Sequence, residues 1–172
     1  LALLSCAAAL PADDHRPERY SATLMPTQEV PAVSSVATGH FSAVIDESAQ
    51  TINYTVSYEG LEGNVTQSHI HFGQMGVSGG ISLWLCGTTA TPAAPAGTPV
   101  CPAPAGSVTG VLMAAQVVGP ANQGIAVGEF AEIIAAIRSG FAYANVHSSK
   151  LPSGEVRGQI RRGGERDEGR HD

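Results

Sequence analysis

The chain has 172 residues, of which 14% are charged, with 20 glycines, 11 prolines and a net charge of -6. That length suits one domain with short tails and is enough to bury a core without metals or disulfides. Sparse charge with frequent turn residues favours many short strands over a helical bundle, the lack of a basic stripe argues against a nucleic-acid partner, and no apolar run reaches the roughly 18 residues of a transmembrane span.

In chain order, residues 1–12 (LALLSCAAALPA) are small and apolar and read as the remnant of a secretory signal. Within it Leu3-Leu4-Ser5-Cys6 loosely resembles a lipobox, with plain cleavage the expectation over lipidation of Cys6. Residues 13–19 read as a linker. The predicted domain spans residues 20–161. Tyr20 to Leu24 alternates as a first strand, and Met25-Pro26 with Val30-Pro31 interrupts it, because proline has no amide donor. Strands follow over Ala37 to Ile45 and Thr51 to Tyr58, joined by the turn Asp46-Glu47-Ser48. In the second of these Ile52, Tyr54, Val56 and Tyr58 share a face. Val65 to Phe72, Ile81 to Cys86 and Ser107 to Met113 are further strands.

Glu129 to Ser139 departs from this pattern. Phe130, Ile133, Ile134 and Ile137 are spaced for a short amphipathic helix, closed by Gly140. Phe141 to His147 and Gly154 to Ile160 are the last strands. Residues 162–172 form a charged, glycine-rich tail with no apolar content, which reads as solvated. About eight strands and one helix predict an all-β fold, an antiparallel Greek-key-like sandwich or flattened barrel.

Two features carry chemistry. Cys86 and Cys101 flank a Thr/Pro/Ala/Gly-rich loop and, if the head is removed by export, form an even pair suited to a disulfide. His69-Ile70-His71 lies in a predicted strand, so both imidazoles point to one side. His147 ends a later strand on the same side as Tyr143 and Asn145. If the two strands are neighbours, His69, His71 and His147 converge as a mononuclear site for copper, with zinc as the alternative. Glu155 and Arg157 share a face, with two open readings: a surface ion pair, or support behind a metal-binding histidine. Gln74 is placed near the site by the turn that follows the histidine pair.

The run His69-Ile70-His71-Phe72-Gly73-Gln74, with Gly76, Gly79 and Gly80, resembles a signature of the CHRD (chordin-type) domain. A second signature follows in Tyr143-Ala144-Asn145-Val146-His147-Ser148 and Pro152-x-Gly154-Glu155-Val156-Arg157-Gly158-Gln159-Ile160, and Glu29-Val30-Pro31 matches the start of the pattern. The resemblance implies an extracellular β-sandwich. A weaker similarity to the copper-zinc superoxide dismutase sandwich rests on His69, His71 and His147, with Gly154 and Arg157. This chain lacks that family's separate zinc cluster and bridging histidine, so the similarity implies one shared metal site, with dismutase-like redox activity the weaker expectation.

Two functions compete. One is a secreted metal-binding module, with binding expected rather than catalysis. The other is a structural subunit of an extracellular filament or matrix, self-associating through the apolar N-terminus as an added strand and displaying the same site.

Overall fold

The computed structural model describes residues 17–89 and 93–163. The apolar head with Cys6 and nearly all of the charged tail, on which the signal and self-association readings rest, lie outside the described residues.

Two antiparallel sheets face each other across one core. β1 (Glu18–Leu24), β2 (Thr38–Asp46), β3 (Thr51–Glu59), β6 (Gly106–Leu112) and β9 (Arg161–Arg162) form the first, in the order β6-β3-β2-β1-β9. β4 (Val65–Phe72), β5 (Gly80–Gly87), β7 (Ala142–Ser148) and β8 (Val156–Gln159) form the second, in the order β5-β4-β7-β8. The predicted all-β sandwich is thus the observed one. β9 continues the sheet past the predicted domain end: Arg162 pairs with Tyr20, and the Gly163 amide donates to the Arg19 carbonyl.

Local chemistry sets the elements. Asp46 Oδ1 accepts bonds from Ser48 Oγ and the Ala49 amide, which folds the β2–β3 turn back on itself. Alternation then sends Phe41, Ala43 and Ile45 of β2 and Ile52, Tyr54 and Val56 of β3 inward. Ile70 of β4, Leu83 and Leu85 of β5, and Ala144 and Val146 of β7 face them from the second sheet. Tyr54 also crosses the core, with its hydroxyl donating to the Leu85 carbonyl.

The predicted helix is α1 (Phe130–Arg138), which buries Phe130, Ile133, Ile134 and Ile137 against the core. Arg138 ties its last turn to β1 and to the β2–β3 turn through Glu18 and Glu47. The disulfide between Cys86 and Cys101 closes the loop that follows β5.

Inward alternation in the second sheet leaves an outward face carrying His69, His71, Trp84, Tyr143, Asn145, His147 and Arg157. This face is buried as well. The glycine-rich loop after β4 is bonded onto it. The segment after β1 pairs with the β8 edge through reciprocal Met25 and Arg157 backbone bonds. A sandwich normally solvates such a face, so its burial with polar side chains marks the place to look for function.

Candidate metal centre

β4 and β7 are adjacent, the condition on which convergence of the three histidines depended. Their register sets Gln67 opposite His147, His69 opposite Asn145 and His71 opposite Tyr143. His69 and His147 are therefore diagonal neighbours on one face, and His71 lies one pleat further along. One potential ligand atom from each of the three lies within 4.8 Å of the others. Ligands about 2.0–2.1 Å from one shared ion stand roughly 3.3–4.1 Å apart, so a small closing movement suffices.

Backbone carbonyls fix two of the tautomers. His71 Nδ1 lies 2.9 Å from the Gly79 carbonyl, and His147 Nδ1 lies 2.9 Å from the Pro152 carbonyl. A carbonyl oxygen only accepts, so both Nδ1 atoms carry the proton and both Nε2 atoms keep a lone pair. Holding the remote ring nitrogen in this way is how metal-binding histidines are oriented. His69 Nδ1 lies 3.2 Å from His147 Nε2, close to the spacing of two ligands on one ion.

The histidines are 0%, 7% and 6% exposed for His69, His71 and His147. Burial penalises the protonated ring. It lowers the pKa of His71 to about 4, with neighbouring His147 and Arg157 adding to the effect, and it pushes those of His69 and His147 down as well. All three imidazoles are thus neutral at physiological pH, the state in which they bind metal. His69 Nε2 and His71 Nε2 have no hydrogen-bond partner among the described residues. Leaving such atoms dry and unpaired costs about 1–3 kcal/mol each, and a cation at lone pairs of this kind offsets that cost. The residues present therefore fit a metal ion.

Aromatic rings hold the cluster. Trp84, opposite His69 on β5, meets the His69 ring edge-on at 4.3 Å between centroids. Tyr143 stacks flat on His71 at 4.8 Å, and the Arg157 guanidinium lies over the Tyr143 ring at 3.4 Å. Arg157 Nη2 also donates to the Gln74 and Val77 carbonyls, and the Gly79 amide donates to Tyr143 Oη. These bonds draw the loop over the face. Gly79 permits the approach, since a Cβ there would sit 1.7 Å from the Phe72 carbonyl oxygen.

The residues expected around the histidines separate. Arg157 stands behind Tyr143 and His71, and its side chain is buried rather than solvated. Glu155 is buried too, but its Oε1 accepts from Ser35 Oγ and the Glu62 amide. The solvated surface pair is therefore not what the fold builds. Gln74 is exposed and contributes its backbone carbonyl. Sequence reasoning gave no role to Trp84, Asn145 or Glu29. Asn145 has a legible signal, since it shares a side with His147. Glu29 is buried beside Gly154, where a Cβ would lie 2.5 Å from Glu29 Oε1.

No curated protein and no solved structure matches the chain. The CHRD domain family matches residues 20–160, from β1 through both histidine-bearing strands to the end of the second sheet, and the chain belongs to that family.

Proposed function

We propose that this protein is an exported metal-binding module whose His69, His71 and His147 hold a single copper ion. The observation that carries the reading is the buried trio of neutral imidazoles, two of them fixed by backbone carbonyls with Nε2 lone pairs turned to the cluster. Copper is favoured over zinc because it stands highest in affinity for nitrogen sites among the divalent first-row metals and accepts planar and T-shaped arrangements. The Cys86–Cys101 disulfide supports an oxidising compartment. Copper, when bound, supplies Lewis acidity and one-electron chemistry. The chain's own contribution is to hold three neutral donors, exclude water from them and orient the rings by stacking.

Binding or buffering of the ion is the proposal, and turnover is not. Among the described residues no second group of three or more metal-ligating side chains accompanies the first. Full-length protein dialysed against micromolar copper and then against buffer should retain one equivalent. Replacing His69, His71 or His147 by Ala should each lower affinity by about 100-fold or more, since an ion left with two donors is poorly held. Metal analysis that finds no copper or zinc on the wild-type protein rejects the reading.

A further inference from the structure

We infer that Asn145 supplies its side-chain oxygen as a fourth ligand to the ion. This rests on the reading of His69, His71 and His147 as a metal site. Asn145 is 2% exposed, lies opposite His69 in the register, and projects from β7 on the same side as His147.

The geometry contains a conflict that an ion resolves. Asn145 Oδ1 lies 3.1 Å from His147 Nε2. The proton of His147 is on Nδ1, committed to the Pro152 carbonyl, so Nε2 presents a lone pair. Two acceptors thus face each other at hydrogen-bond distance with no proton from either one between them. Turning the amide over would let Nδ2 donate to Nε2. That reversed amide would add nothing to the hold on copper, so metal affinity separates the two orientations. The amide oxygen therefore stands beside the His147 lone pair, close to the spacing of two ligands on one ion.

An amide oxygen is a hard donor. It favours a divalent ion and adds little to the hold on Cu(I), which is satisfied by soft or nitrogen ligands. The inferred ligand set therefore makes the site selective for the oxidised ion.

The test uses the full chain with Cu(II) and Cu(I) as separate probes, each measured by competition with a chelator of known affinity. Asn145→Leu should weaken Cu(II) by about tenfold or more while leaving Cu(I) within about threefold. Asn145→Asp keeps an oxygen, so it should retain Cu(II) with altered hyperfine splitting in electron paramagnetic resonance. Unchanged Cu(II) affinity in Asn145→Leu overturns the inference, as does an equal loss of both oxidation states, which marks a purely structural residue. If Asn145→Leu does not fold, the Asp variant decides: a spectrum identical to wild type removes the oxygen from the ligand set. Wild-type protein that takes up no copper removes the metal reading together with this one.

Discussion

At the scale of single residues, burial makes the three imidazoles weak bases, and this has a sign that can be measured. An unfolded histidine takes up its proton near pH 6.5, whereas His71 in the fold waits until about 4, and His69 and His147 are lowered in the same direction. Between those values the unfolded chain binds more protons, so the stabilisation present above about pH 6.5 is lost as pH falls toward the folded values. Glu29 acts in the opposite sense. Desolvation raises its pKa to about 7, and the folded state gains from its proton as pH falls from there toward the ordinary carboxyl value of 4.5. Three groups outweigh one. Metal-free protein should therefore unfold at lower urea at pH 5 than at pH 7.5, and Glu29→Gln should steepen the decline. A flat or rising profile would contradict the buried, neutral state of the histidines. The trio itself was readable from spacing, since residues two apart on a strand share a side. Asn145 was equally readable by parity, and lacked only a reason to count an amide among ligands.

At the scale of elements, the turns and strands follow from short-range chemistry, and the connections between them do not. Alternation placed β3, and the isoleucine spacing placed α1, each within a residue or two of its observed bounds. Two register shifts between β4 and β5 bring Trp84 opposite His69, and no pattern within either strand reveals them. The segment around Met25 reads as a break because of Pro26, yet Met25 itself exchanges backbone bonds with Arg157 at the β8 edge. The disulfide is the other long-range device. It joins positions 15 residues apart, ties the loop after β5 to that strand, and sits beside the bridge between Gly87 and Val100. A closed loop of this length contributes roughly 3 kcal/mol by limiting the unfolded chain. Cys86→Ser combined with Cys101→Ser should lower stability by about that amount in denaturant titrations. Histidine geometry should persist, since β4 and β7 are paired independently of the loop. A loss of copper binding in the double variant that exceeds its loss of stability would show that the loop shapes the site.

At the scale of the whole molecule, the sandwich uses its two sheets unequally. The β1–β2–β3 sheet supplies apolar side chains to the shared core and otherwise carries an exposed surface. The other sheet is buried on both faces, apolar inward and polar outward, and the outward layer is where the lone pairs and orphaned polar atoms collect. Strand order could not be read from the sequence, because β9 closes beside β1 from the far end of the chain and β7 inserts between β4 and β8. The second of these placements brings the late histidine to the early pair. The fold also gives the protein an optical property. The chain has a single tryptophan, and the fold packs it edge-on against a histidine of the cluster. All indole emission therefore comes from a fluorophore touching the proposed site. A paramagnetic Cu(II) ion there should extinguish most of that emission at one equivalent, whereas closed-shell Zn(II) should leave it bright. An unlabelled solution would then report both the occupancy of the centre and the electronic configuration of its occupant.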